Sequence, residues 1–104
     1  MRVVVFVIGC LASGFAYSYS QDTGKISRIF VNPAGAIAFK LEHGFPKAVE
    51  TNQCSTNNGW VGLGSSDPVV KSAILAAKAA GDTVTATIDG CEGTWFKLKD
   101  IYIN

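Results

Sequence analysis

The feature that most constrains this chain is a pair of cysteines. With residues 1–18 set aside as a leader, only Cys54 and Cys91 remain of the three cysteines in the sequence. An even pair in an exported chain reads as one disulfide. By the loop-entropy relation such a bridge contributes about 3–4 kcal/mol, a large share of the roughly 5–10 kcal/mol that holds a small domain together. The bridge also removes both sulfurs from nucleophilic chemistry, since neither lies in a CxxC motif or beside an evident base.

The N-terminus supplies the reason to expect export. Arg2 precedes an apolar run from Val3 to Leu11, and a stretch rich in small residues follows to Ser18, the layout of a secretory signal peptide. Ala16 and Ser18 suit the −3 and −1 positions of cleavage after Ser18, and cleavage after Ala16 fits as well. The apolar run is shorter than the roughly 20 residues that span a bilayer, so no integral membrane segment is expected in the mature chain. Val7-Ile8-Gly9-Cys10 also has the form of a bacterial lipobox, which would make Cys10 a lipidated first residue. The apolar stretch would then be only Val3 to Gly9, and a signal peptide accommodates Cys10 as an ordinary small residue. The chain thus divides into a signal peptide, 1–18, and one domain, 19–104, secreted or periplasmic.

Lys and Arg number 9 against 8 Asp and Glu, and Arg2 leaves with the leader. A neutral domain without basic runs lacks the concentrated positive charge that nucleic acid and anionic membranes require.

Turn residues divide the rest into short elements. Residues 19–24 form a polar lead-in, and Ile26 to Val31 reads as a strand. Asn32-Pro33-Ala34-Gly35 is a turn, and Ala36 to Glu42 alternates, with Ile37, Phe39 and Leu41 on one face. His43 to Lys47 is a connection, and a third strand is expected around Ala48 to Ser55 to deliver Cys54. Thr56-Asn57-Asn58-Gly59 makes another turn, leading into Trp60-Val61-Gly62-Leu63 and a flexible Gly64-Ser65-Ser66. Asp67 is an N-cap, Pro68 suits the first helical position, and Gly81 ends an Ala-rich helix over Val69 to Ala80. Val70, Ala73, Ile74 and Ala77 form its apolar stripe. Thr83 to Ile88 and Trp95 to Ile103 are the last strands, joined at Asp89-Gly90. The inward set of the final strand changes phase between Leu98 and Ile101, which predicts a bulge near Lys99-Asp100. The expected class is mainly β with one helix, in the order β-β-β-α-β-β: a five-stranded OB-like antiparallel barrel. An open α+β sheet with the helix on one face is the rival.

Catalytic signatures are absent from the sequence. It has no GxSxG elbow, phosphate loop or HExxH motif, and no spacing singles out two carboxylates that could face each other across a cleft. One histidine, His43, and two bridged cysteines cannot make a structural zinc site, and no cofactor is implied. Binding chemistry is better represented. Trp60 follows Asn57 and Asn58, and Trp95 opens the last strand. An indole face beside amide groups suits a sugar, which stacks its C–H face while its hydroxyls find donors and acceptors. The simpler reading is that both tryptophans pack in the core or an interface, and that His43 is a solvated loop residue.

The sequence of features from the first hairpin, through a cysteine before a polar turn and Trp60, to a Gly81-closed helix, a strand from Thr83 to Ile88 and Gly90-Cys91 resembles a group of small secreted proteins. These are the bacterial OB-fold B subunits of AB-type toxins, the subtilase-cytotoxin and pertussis-like group. The resemblance spans most of residues 24–103 in element order and rests on topology. It implies a glycan-binding subunit at cell surfaces, assembled as a homo-oligomer, typically a pentamer with helices around a pore. The terminal segment here is shorter and lacks a second cysteine pair, and no sugar-pocket residues carry over. The expected ligand-binding residues are therefore Trp60, Asn57, Asn58 and His43, chosen for their own chemistry, in a non-catalytic binding protein. A secreted or periplasmic inhibitor or accessory subunit, binding a protein through strand edges and loops, is the alternative.

Overall fold

The computed structural model describes residues 19–104; the expected signal peptide lies outside the described residues. Five strands and two helices follow in the order β1 (Ser20–Val31), β2 (Ile37–Leu41), α1 (Pro46–Glu50), β3 (Val61–Leu63), α2 (Pro68–Ala80), β4 (Thr83–Glu92) and β5 (Trp95–Ile103). The strands hydrogen-bond in a ring, β1-β2-β3-β5-β4, which β4 closes by returning to β1.

The sheet is mixed, not wholly antiparallel as expected, because β3 runs parallel to β5, pairing Val61 with Phe96 and Gly62 with Lys97. The third strand also lies later than the expected 48–55. That segment begins instead as the helix α1, with Pro46 in its first turn and Ala48 fully buried. The determinant is remote in sequence. Asp22 on β1 is buried, and its carboxylate accepts the backbone N–H of Lys47 at 2.9 Å and of Ala48 at 3.1 Å. These are two of the helix-start donors that have no partner within the helix. The described residues therefore contain two helices where one was expected.

Of residues 19–24, expected as a lead-in, 20–24 belong to β1, which pairs with β4 from Ser20↔Ile88 to Lys25↔Thr83. The segment is polar because its outward side chains meet polar partners: Thr23 and Thr85 hydroxyls are 2.8 Å apart, and Gln21 donates to Thr87 at 3.0 Å. A register shift between Ile26 and Arg28 lets the same strand turn from β4 to β2. The β1–β2 hairpin is as expected, with the Asn32 carboxamide oxygen accepting from Ala34 and Ala36 N–H.

The helix α2 matches its capping signals: Asp67 accepts from Val69 N–H at 2.8 Å, and Gly81 is left-handed at φ 70°. Ile74 and Ala77 face the core. The expected turn at Asp89-Gly90 is instead an irregularity within β4, which runs on to Glu92. Pairing that steps from Thr87↔Asp100 to Ile88↔Leu98 leaves Lys99 as the extra residue, the bulge foreseen in β5.

Inside the ring, Ile37, Phe39, Val61, Val84, Ala86, Ile88 and Phe96 are at most 1 % exposed. Phe45 bridges Phe39 and Phe96 edge-to-face at 6.4 and 5.8 Å. Cys54 and Cys91 form the disulfide, with Cα atoms 5.0 Å apart across a separation of 37 residues. It joins the loop after α1 to the far end of β4.

Candidate functional site

The outer face of the sheet follows from the same alternation that builds the core. On β1, Ile29 points in, so Arg28 and Phe30 point out; on β2, Ile37 and Phe39 point in, so Ala38 and Lys40 take the outer side. Val61 and Phe96 are buried, so the residues before them, Trp60 and Trp95, also face outward. Ring closure then sets these side chains next to one another. Arg28 pairs with Lys40 and Phe30 with Ala38 across β1–β2, and Ala38 pairs with Gly62 across β2–β3.

Small residues at the centre of this face leave room for large ones at its rim. A Cβ at Gly62 would stand 2.7 Å from the Cβ of Ala38 and press on the carbonyl of Ile37, so the strands there approach as only glycine allows. Phe30 spans the gap. Its ring meets Trp60 edge-on at 6.4 Å and 76°, and Trp95 at 5.8 Å and 67°. These are the edge-to-face arrangements that aromatic quadrupoles favour. The cluster is not interior: Phe30 keeps 41 % of its surface exposed, and both tryptophans are half-buried.

Two cations complete the site. The Arg28 guanidinium carbon lies 5.6 Å and the Lys40 ammonium 5.3 Å from the centroid of Trp60, each within cation–π range. Among the described residues the ion pair present is Lys99–Asp100; neither Arg28 nor Lys40 has a carboxylate partner.

The loop that carries Trp60 is held by its own amides. Asn57 donates to the Cys54 carbonyl at 2.9 Å, and its oxygen accepts from Gly59 N–H at 3.0 Å. Asn58 accepts from Trp60 N–H at 3.3 Å and donates to the Thr94 hydroxyl at 3.4 Å, while its own N–H donates to the Thr94 carbonyl at 2.8 Å. Of the four residues expected from sequence, Trp60, Asn57 and Asn58 thus share one loop, with both amides engaged within the protein. His43 is exposed in the turn after β2, outside the aromatic and cation contacts of the cluster.

Phe30, Arg28 and Lys40 were not singled out from sequence. A signal did exist, because each occupies an outward position in the alternation of the first hairpin. Their meeting with Trp60 depends on ring closure, which no local pattern encodes.

Two further surface features stand apart. A cleft of about 330 Å³ lies between Tyr19, Ser20 and Gln21 of the N-terminal segment and Lys47, Glu50 and Thr51 of α1 and its end. An apolar groove of about 280 Å³ runs between Val69, Val70 and Ala73 of α2 and Leu98 and Ile101 of β5. Among the described residues no group of three or more His, Cys, Asp or Glu is placed to hold a metal, and no helix is long and apolar enough to cross a membrane. Comparisons with protein-family models, curated proteins and solved structures find no match to this chain.

Proposed function

We propose that this chain is a secreted, non-catalytic, OB-like module that binds glycans through the Trp60 face, with a preference for sugars that carry an acidic group. The observation that carries this is the solvent-facing triad Phe30, Trp60 and Trp95 beside two cations that have no carboxylate partner among the described residues. Indole faces accept the C–H face of a pyranose, and Arg28 and Lys40 supply donors and charge for a carboxylate or sulfate. A folding role alone gives no reason to leave three aromatic rings partly in water.

The position supports the same reading. In OB barrels the face of strands 2 and 3, with the neighbouring β1–β2 and β4–β5 loops, takes oligosaccharides and oligonucleotides. Here Ala38, Lys40 and Gly62 lie on that face, and Trp95 follows the β4–β5 turn. The five-stranded ring and the helix between β3 and β4 support the OB-like assignment, and the disulfide supports an extracytoplasmic address.

As in the toxin B-subunit group it resembles, the module assembles as a homo-oligomer. The exposed Val69 and Leu75 on α2 offer apolar surface for that contact. The alternative, an inhibitor or accessory protein, draws on the groove between α2 and β5.

A glycan array carrying neutral, carboxylated and sulfated sugars tests the proposal. The mature protein should mark acidic glycans. Signal at background, or on neutral sugars alone, would count against it.

A further inference from the structure

The two tryptophans arrive on different segments, Trp60 from the loop before β3 and Trp95 from the turn after β4. Their relative placement therefore depends on what joins those segments. The ladder is short: β3 and β5 share only the pairs Val61↔Phe96 and Gly62↔Lys97, extended by Phe96 N–H to the Trp60 carbonyl at 2.9 Å. Beyond that point the chain turns through Gly59 at φ 90°, whose N–H is held by the Asn57 side chain, a bond within the loop that does not reach the Trp95 segment.

Asn58 supplies the missing tie. Its N–H and its side-chain NH₂ both donate to Thr94, to the carbonyl and the hydroxyl respectively, and its side-chain oxygen holds Trp60 N–H. One residue thus bonds to the residue before Trp95 and to Trp60 itself. Each end of its carboxamide makes one bond within the protein, which ties the side chain to both tryptophan segments.

We propose that Asn58 is the positioning residue of the aromatic site, locking the Trp60 loop to Thr94 so that Trp60, Phe30 and Trp95 form one preorganised surface. Preorganisation of this kind lowers the ordering penalty when a ligand lands. The structural part stands without any ligand; only its effect on affinity rests on the glycan reading above.

The chain contains two tryptophans, both in this cluster, so its indole fluorescence reports on the site alone. Acrylamide quenching and near-ultraviolet circular dichroism are measured on the mature protein without ligand, for wild type, Asn58→Ala, Asn58→Asp and Thr94→Val. Affinity for an acidic glycan marked on the array is measured in parallel. Asn58→Ala should raise the quenching constant, reduce the aromatic dichroism and weaken glycan binding about tenfold, the equivalent of about one net hydrogen bond. Asn58→Asp keeps the acceptor for Trp60 N–H and can accept the Thr94 hydroxyl, so it should restore both spectra. Thr94→Val, which retains the backbone bond, should fall between.

The proposal is overturned if Asn58→Ala leaves quenching and dichroism at wild-type values, and all the more if binding is lost, which would make Asn58 a direct ligand contact. It is equally overturned if Asn58→Asp behaves as Asn58→Ala does. Should Asn58→Ala fail to fold, Asn58→Asp and Thr94→Val decide: wild-type spectra for both the aspartate and the valine variants would contradict it. If no glycan binds, the ligand-free spectra still give the answer.

Discussion

Phe30 on β1 and Trp60 before β3 meet edge-on, with ring centroids 6.4 Å apart, although β2 lies between their strands. The contact exists because Ala38 and Gly62 keep the intervening surface low, and it makes Phe30 the hinge between the two tryptophans. Phe30→Ala should therefore lower ligand affinity more than stability. The stability loss is expected near 1 kcal/mol, since the ring is already partly in water and loses mainly its aromatic contacts. Urea denaturation beside a binding titration checks this; a loss above about 3 kcal/mol would place Phe30 in the core instead.

Gly62→Ala is expected to destabilise by about 1–3 kcal/mol, the range for forcing extra atoms into packed structure. The added methyl would meet the Ile37 carbonyl and Ala38, and the backbone there cannot move without opening β2–β3. An unchanged urea midpoint would show that the strands separate more easily than their close approach implies.

Asp22→Ala removes the acceptor of two N–H groups at the start of α1, and the N–H of Ala48 is buried with its residue. A loss of about 2–3 kcal/mol is expected from unsatisfied donors in a dry environment, with a matching fall in the thermal midpoint. A change within about 0.5 kcal/mol, the ordinary range for surface substitutions, would mean that water replaces the carboxylate.

Reduction of Cys54–Cys91, or its replacement by two serines, should lower stability by about 3–4 kcal/mol through the freed loop. The Trp60 loop should loosen too, because Cys54 anchors the Asn57 turn from which it springs. Mass spectrometry with and without reduction is the check on the exported protein; two free thiols there would contradict the bridge.

Light scattering on the mature protein tests assembly. A multiple of the protomer mass is expected, and a strict monomer would remove the analogy with toxin B subunits.

Local chemistry made much of this fold legible. The β1–β2 turn, the Asp67 and Gly81 caps, the inward faces of β2 and β4 and the Lys99 bulge follow from residues within a few positions of one another. What was hidden depended on distant partners. Ser20 to Gly24 looks like a lead-in until the threonines of β4 lie opposite it, and Pro46 to Glu50 becomes a helix where Asp22 can cap it. The site divides in the same way. Trp60 and its Asn57-Asn58 turn could be picked out from one stretch of sequence, whereas Arg28, Phe30 and Lys40 join it only when the ring closes.

The central claim, that the Trp60 face binds acidic sugars, is tested most directly by titrating an acidic glycan from the array against wild type, Trp60→Ala and the Arg28→Ala/Lys40→Ala pair. Wild type should bind with an affinity that falls as salt rises, since both cations are open to screening. Trp60→Ala should abolish measurable binding, and the paired variant should lose most of the affinity together with its salt dependence. Wild-type affinity retained in Trp60→Ala would contradict the account.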